Sequence, residues 1–293
     1  MAGAIQDLTI IRRVARPRRA TEESALVRWI AIAISILFFA AFLLLPLLAI
    51  FAEAFRRGAA LYFQSFTDPV TLDAIKLTLL TSAIAVPCNT VFGLAAAWAI
   101  TRFRFRGREF LSTLIDLPLW VSPVIGGLIY VLLFGSQGLL GPWLLAHHLR
   151  IIYSTPGIVL ATVFVTFPFV ARGLIPLMQA QGVAEEEAAL TLGAKGWQVF
   201  WRVTLPKIKW GLLYGIILCN ARAVGEFGAV SVVSGHIRGL TNTVPLQIEI
   251  LYNEYAFAAA FALASLLSLL ALVTLGLKSY VEWRARLQLG HYP

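Results

Sequence analysis

The chain has 293 residues, of which 59% are hydrophobic and only 13% are charged, and its mean hydropathy is +0.80. This composition excludes an average soluble domain and predicts a protein of the lipid bilayer. The net charge of +9 does not indicate a nucleic-acid binder, because the basic residues lie between long apolar runs. The two cysteines exclude a disulfide framework and a thiolate cluster for zinc, so no metal site is expected.

Six apolar segments are predicted to cross the membrane, since each supplies the roughly 20 residues that a hydrocarbon core requires. The predicted fold class is therefore an all-α polytopic membrane protein, with a six-helix domain at residues 29–280. The predicted spans are about 29–55, 75–100, 111–134, 157–178, 210–234 and 255–277. The third, fourth and fifth spans carry charged residues, and such residues within a membrane mark candidate functional positions.

Orientation follows from lysine and arginine, because short loops rich in them stay in the cytoplasm. Most of the 24 basic residues fall on the side of the N-terminus. We therefore expect both termini to be cytoplasmic, with a basic N-terminal segment at 1–28 and a tail at 281–293. The alternative is that the first apolar run is a secretory signal cleaved near Ala52-Glu53-Ala54. That run is longer than the about 7 to 15 apolar residues of a signal peptide.

The longest internal hydrophilic stretch is the predicted cytoplasmic loop at 179–209. At fixed spacing it contains Glu187, Ala188, Ala189, Gly193, Leu205 and Pro206. This pattern resembles the EAA motif of ABC importer permeases, apart from Val203, where isoleucine is commoner. The resemblance implies that the loop docks in a groove of a separate ATP-hydrolysing subunit and couples transport to ATP.

The residue types of this loop predict two short helices. Ala184 to Leu192 consists of good helix formers with glutamates in the first turn, where the helix dipole favours negative charge. Gly193 allows a left-handed exit, and a second helix at about 197–204 is expected to end before Pro206. The alternative is an amphipathic hairpin on anionic lipid. No G-x-x-x-x-G-K-S/T phosphate loop occurs, so a partner would supply the energy.

The fifth span and the loop after it carry a second motif. The A-R-A-V-G-E-F-G-A run at 221–229 resembles the sulfate/thiosulfate and molybdate branch of these permeases. The V-S-V-V-S-G run at 230–235, Arg238-Gly239 and residues 243–249 resemble the sulfate permeases in particular. Residues 240–242 depart from them, because that loop often starts with more polar residues. The alternatives are a molybdate or tungstate permease and, outside the family, an ion-coupled carrier or channel without an ATPase.

The resemblance implies a type I importer permease (MetI-like) fold in the bacterial inner membrane, and it implies partners. These are a second sulfate permease of the CysT or CysU type, an ATPase dimer of the CysA type and a periplasmic sulfate- or thiosulfate-binding protein. It also implies that this chain is not an enzyme and binds no cofactor, since the ATPase would use ATP and Mg. The lipid bilayer is the remaining partner, and nucleic acid is not expected.

Charged residues of the spans are candidates for a substrate path, namely Arg172, Arg222 and Glu226. Arg222 and Glu226 lie four apart on a predicted helix, so they are expected to pair, either in an anion path or as a structural clamp. The planar fork of Arg172 suits a tetrahedral oxyanion, but contact with another helix or with lipid headgroups is equally open. Asp116, in a span expected to be bent, is expected to cap a helix or to bond to another helix.

Overall fold

The computed structural model describes residues 25–289, and every element in that range is helical, which confirms the all-α prediction. The α-helices of this range are α1 (Ala25–Phe39), α2 (Leu45–Phe55), α3 (Ala59–Gln64), α4 (Pro69–Arg102), α5 (Arg108–Trp120), α6 (Pro123–Phe134), α7 (Gly141–Ala146), α8 (Thr155–Gln181), α9 (Ala184–Thr191), α10 (Gly196–Val199), α11 (Leu205–Val224), α12 (Gly228–Ser234), α13 (Val244–Asn253) and α14 (Phe257–Leu289). The predicted segment at 1–28 lies almost wholly outside the described residues, as does the end of the predicted tail at 281–293. The described part of that tail continues α14.

The chain divides into two compact units, residues 1–49 and 50–293. The described part of the first unit is one apolar stretch, made of α1, a π-helical turn at Ala40–Leu44 and the start of α2. The second unit contains the remaining helices, including the loop with the EAA pattern and all the charged residues singled out within the predicted spans.

Four helical stretches in the described residues are long and apolar enough to cross a membrane, and the number rises to six if each of two bent helix pairs is one span. The four are Leu26–Phe55, Pro69–Arg102, Thr155–Gln181 and Phe257–Arg284. Each overlaps one of the predicted spans. The start of α4 shows how the sequence sets such a boundary, since the carboxylate of Asp68 accepts a hydrogen bond from the Thr71 N–H at 3.0 Å.

The predicted third and fifth spans, at 111–134 and 210–234, each contain a break between two helices, and the third is bent as expected. The chain bends by 106° between α5 and α6. It bends by 49° between the helical stretch Gly196–Val224, which includes α11, and α12. The first break falls at Val121 and Ser122, where Pro123 disfavours a helical conformation in the residue before it. The second break contains Gly225, whose low helix propensity weakens the helix there.

A π-helical turn precedes each of two Leu-Pro pairs. The turn at Ala40–Leu44 precedes Pro46, and the turn at Phe200–Thr204 precedes Pro206. In a regular α-helix a proline ring clashes with the carbonyl four residues earlier, and the wider π turn relieves that clash. The prediction that the second loop helix ends before Pro206 is therefore wrong, because α10 continues through this turn into α11.

Helix α8 lies at the centre of the second unit, between α4 and α11. A Cβ atom on Gly93 of α4 would lie 2.8 Å from Cβ of Val170, and one on Gly215 of α11 would lie 3.2 Å from Cα of Val170. Glycines thus let both helices approach α8 closely, as is common between membrane helices. Asn89 of α4 is fully buried and donates to Oγ1 of Thr166 at 2.7 Å, which adds a polar bond to this core.

Candidate functional site

Helix α9 carries the first half of the EAA pattern and ends in a cap built on glycine. Gly193 has φ of 87°, the left-handed conformation that the sequence predicts. Its N–H donates to the carbonyl of Leu190 at 3.0 Å, and the N–H of Ala194 donates to the carbonyl of Ala189 at 3.1 Å. These two bonds form a Schellman cap, which fixes the direction in which the chain leaves α9.

One side of α9 is anchored to the long helices through Glu186. Its Oε2 lies 2.7 Å from Nε of Arg102, the last residue of α4, and its Oε1 accepts from Oγ1 of Thr204 at 2.8 Å. The side chains of Arg102 and Glu186 are only 8% and 13% exposed. Arg102 also donates to the carbonyl of Met178 in α8 at 3.1 Å. Because a buried ion pair is costly to break, we expect α9 to move together with α4 and α8.

A second set of bonds connects the two ends of the loop. Nζ of Lys207 lies 2.9 Å from Oε1 of Glu185 and donates to the carbonyl of Gln181 at 3.3 Å. The amide of Gln181 donates in return to the carbonyl of Lys207 at 3.3 Å. The end of α8 and the start of α11 are therefore joined beside α9.

The loop also exposes apolar surface. Leu192 is 88% exposed, Trp197 63% and Trp201 60%. Of the predicted coupling residues, Glu187, Ala188, Gly193 and Pro206 are exposed, and Ala189 and Leu205 are partly buried. Large apolar side chains that are exposed close together in the sequence, among polar residues, are typical of a surface that another protein or a lipid surface covers.

The Arg222–Glu226 pair forms, but not on one helix face as predicted, because α11 ends at Val224 and Glu226 lies in the break before α12. Nη1 of Arg222 is 2.7 Å from Oε2 of Glu226. Oε1 of Glu226 accepts from the N–H of Ala229 at 2.9 Å and so caps the first turn of α12. The side chain of Glu226 is 1% exposed and that of Arg222 is 34% exposed. The acid therefore neutralises the arginine and also stabilises the break.

Arg172 of α8 binds Asp116 of α5 through both oxygens of the carboxylate. Nε donates to Oδ1 at 2.5 Å, and Nη2 donates to Oδ2 at 2.6 Å. The contact with another helix, which the sequence left open for both residues, is thus the arrangement present.

Sequence reasoning did not identify two ion pairs of this site, Arg102–Glu186 and Asp116–Arg172. The motif pointed to Glu187, which is exposed, whereas its neighbour Glu186 makes the buried contacts. Arg102 entered the sequence analysis only as one of the basic residues that indicate which side of the membrane is cytoplasmic. Asp116 and Arg172 were singled out separately, and 56 residues of sequence separate them, so no local pattern connects them.

The match to known families agrees with this architecture. Residues 89–287 match the family described as binding-protein-dependent transport system inner membrane component. The chain belongs to this family and is therefore a multi-pass membrane component of a transport system, not an enzyme.

Curated relatives narrow the class further. The sulfate transport system permease protein CysW of Escherichia coli K12 is 54% identical over 88% of this chain and 88% of its own length. CysW of Synechocystis sp. is 50% identical, over 91% of this chain and 95% of its own length. The sulfate transport system permease protein CysT of Escherichia coli K12 is 39% identical, over 82% of this chain and 87% of its own length. The resemblance to sulfate permeases found in the sequence is thereby confirmed.

A solved structure shows the same fold. A chain in the crystal structure of a bacterial alginate ABC transporter, in complex with an alginate pentasaccharide-bound periplasmic protein, matches with a TM-score of 0.73 at 20% identity. The match covers 89% of this chain and 95% of that chain. The predicted importer-permease fold is confirmed by this likeness, which concerns the fold alone.

Proposed function

We propose that this chain is one of two permease subunits of an ATP-driven importer that moves sulfate, and thiosulfate as a close analogue, into the cytoplasm. The observation that carries the proposal is the 54% identity to a sulfate permease over 88% of both chains. The second permease would be of the CysT type, because the chain is related to CysT at the lower identity of 39%. A periplasmic sulfate- or thiosulfate-binding protein would deliver the anion.

The loop at 179–209 would dock in a groove of a CysA-type ATPase dimer that uses ATP and Mg. The exposed Leu192, Trp197 and Trp201 supply apolar surface for that contact. Glu186 supplies the mechanical link, since it joins α9 to the end of α4 through a buried ion pair. Movement of the ATPase subunits would thus be passed to the membrane helices.

In this proposal both bent helix pairs are spans, which gives six spans with both termini in the cytoplasm. The loop at 179–209 then lies on the cytoplasmic side. The loop between α6 and α8 lies outside. The basic residues that follow α4 support this orientation, because Arg104, Arg106 and Arg108 fall in a short loop on the cytoplasmic side.

Arg172, Arg222 and Glu226 would line or support the anion path. Charged residues within membrane-spanning helices are tolerated where they face water or another protein. Both arginines are only partly buried, with side chains 52% and 34% exposed. An arginine fork offers paired donors to a tetrahedral oxyanion that has lost its water.

Uptake of labelled sulfate tests the transport proposal. The gene and its partner genes are placed in a strain that lacks its own sulfate permeases. We expect sulfate uptake to be restored and to be reduced by excess thiosulfate but not by excess molybdate. Failure to restore uptake, or uptake that molybdate suppresses, would contradict the proposed substrate.

Cysteine labelling tests the orientation. A cysteine in place of Arg150, in the loop between α6 and α8, should react with an impermeant reagent added outside intact cells. A cysteine in place of Arg104 should react only after the membrane is opened. The reverse result would overturn the proposed topology.

A further inference from the structure

Asp116 and Arg172 form an ion pair whose geometry is that of an arginine binding a flat, two-oxygen anion. Two different nitrogens of the guanidinium each bind a different oxygen of the carboxylate, at 2.5 and 2.6 Å. Bidentate bonding of this kind is strong and directional, and it occupies the Nε–Nη2 edge of the guanidinium and neutralises its charge. Asp116 therefore sits where an oxyanion would bind Arg172 by that edge.

The pair lies in the membrane-spanning part of the chain but is not enclosed by it. Arg172 is about 13 Å along α8 from the end of that helix at Gln181, given the rise of a helix. Its side chain is 52% exposed, and that of Asp116 is 22% exposed. Because charges that face hydrocarbon are costly, we place this surface against water or a polar protein surface.

The helices that carry the two residues pack against each other beside the pair, because Ile115 of α5 and Ala171 of α8 are buried in one hydrophobic cluster. Arg172 belongs to the 27-residue helix α8, which packs against α4 and α11. Asp116 belongs to the 13-residue helix α5, which follows Gly107 at φ of 91° and ends at the 106° break to α6. Since the packing of α5 against α8 holds the two backbones together, withdrawal of the acid requires only a rotation of the Asp116 side chain, which is 22% exposed.

We propose that Asp116 is a displaceable carboxylate that keeps the fork of Arg172 occupied between transport events and is exchanged for the oxygens of the passing oxyanion. This inference rests on the proposed function, because it assigns a residue to the release of that anion. An uncovered arginine would hold a dianion tightly, whereas transport requires binding that is weak enough to end. The returning carboxylate supplies the competition that releases the substrate, and Asp116 thereby sets the affinity of the path.

Sulfate binding to the assembled importer tests this role. The complex is purified in lipid nanodiscs with its partner subunits but without the binding protein, and retention of radiolabelled sulfate is measured by equilibrium dialysis. We expect Asp116→Asn and Asp116→Ala to retain about tenfold more sulfate than the unmodified complex, since each uncovers a charged bidentate donor pair. Adding Arg172→Gln to either variant should abolish the gain.

The matched control is Glu254→Gln, which frees Arg238 from an ion pair between the loop after α12 and the end of α13. That arginine is similarly exposed, with a side chain 49% accessible, but it lies outside the span helices. We expect no gain in sulfate retention from this variant. An equal gain would show that any uncovered arginine binds sulfate and would overturn the inference.

The remaining outcomes separate this inference from the proposed function. If the unmodified importer takes up no sulfate in vesicles, the proposed function fails. If it takes up sulfate but neither Asp116 variant gains retention, the displaceable carboxylate is refuted while the function stands. If neither variant assembles with its partners, the pair is a structural clamp and the inference is also refuted.

Discussion

The two ion pairs within the spans are built in different ways. Arg222 and Glu226 are four residues apart, and the acid is 1% exposed and bonded to the backbone at the start of α12. Asp116 and Arg172 are 56 residues apart, on two helices, and the arginine is 52% exposed. The first pair fixes a break in one span. The second is much more exposed than the first, so we interpret the first as a clamp and the second as a contact that opens by rotation of its side chains.

The comparison also shows where a membrane protein tolerates charge. Glu226 lies inside the break between α11 and α12, and Asp116 lies one turn before the break between α5 and α6. Interrupted helices occur in membranes where the backbone is covered by protein or borders water, and charges are tolerated in the same places. Each break therefore has a charged residue within it or one turn away.

Arg222→Gln is expected to have the largest effect, because it leaves Glu226 as a buried anion without its partner. Removing one member of a buried ion pair typically costs about 3 to 5 kcal/mol. We expect little assembled importer and a lower midpoint of thermal unfolding in the material that remains. Quantitative blotting of membranes and thermal unfolding of the purified complex measure both.

The control for this prediction is the double variant Arg222→Gln with Glu226→Gln. It removes both charges at nearly constant volume, and the amide oxygen can still accept from the N–H of Ala229. Assembly should return. Return of uptake as well would make the pair a clamp only, whereas assembly without uptake would place Arg222 in the anion path. If Arg222→Gln alone is as stable as the unmodified protein, the interpretation of the pair as a structural clamp is refuted.

Gly193→Asp is expected to abolish coupled transport with a smaller effect on stability. The left-handed φ of 87° costs a side-chain-bearing residue about 1 to 2 kcal/mol. Apart from its two neighbours in the chain, no residue has an atom within 4 Å of the position that a Cβ on Gly193 would take. The side chain therefore fits without a clash, and it alters the proposed docking surface. Uptake and stimulation of ATP hydrolysis by the binding protein should both be lost in a complex that still inserts into the membrane.

Gly107→Asp is the matched control for that change. Gly107 has φ of 91° and is equally open, but it lies in the loop after α4. It should keep both activities. If Gly193→Asp transports normally, or if Gly107→Asp is equally impaired, the docking role assigned to the loop is wrong.

Glu186→Gln is expected to have the smallest effect of the three, a several-fold loss of sulfate imported per ATP hydrolysed. The amide oxygen remains an acceptor for Thr204, and Arg102 keeps its bond to the carbonyl of Met178. The loss is therefore that of one hydrogen bond to a charged group, about 1.5 to 3 kcal/mol, and not that of a whole buried ion pair. The comparison variant is Glu187→Gln, whose residue is exposed on the same helix. Equal losses in the two variants would contradict the assignment of Glu186 as the mechanical link.

Much of the fold could be predicted because the signals are local. Apolar length gave the helices that cross the membrane, and the spacing around Gly193 gave its left-handed turn. The third span was expected to be bent, but its break at 121–122 was not placed. The break at 225–227 was missed because the spacing of four between Arg222 and Glu226 indicated a continuous helix. The continuation of α10 past Pro206 was also missed, since a π turn leaves no clear signal in the sequence.

The contacts of the site were predicted only where the partners are neighbours in sequence. The pairing of Arg222 with Glu226 follows from their spacing of four, although the helix ends between them. The contacts of Arg102 with Glu186 and of Asp116 with Arg172 join residues 84 and 56 positions apart. Such pairs depend on how helices pack, which one sequence does not specify.

Transport in reconstituted vesicles tests the central claim most directly. The complete importer is placed in proteoliposomes, and sulfate accumulation and ATP hydrolysis are recorded on the same vesicles with saturating binding protein. We predict that sulfate accumulates against its gradient only with ATP and Mg, and that Gly193→Asp removes this accumulation. Sulfate movement that continues without ATP and only follows its gradient would instead identify a carrier or channel and contradict the account.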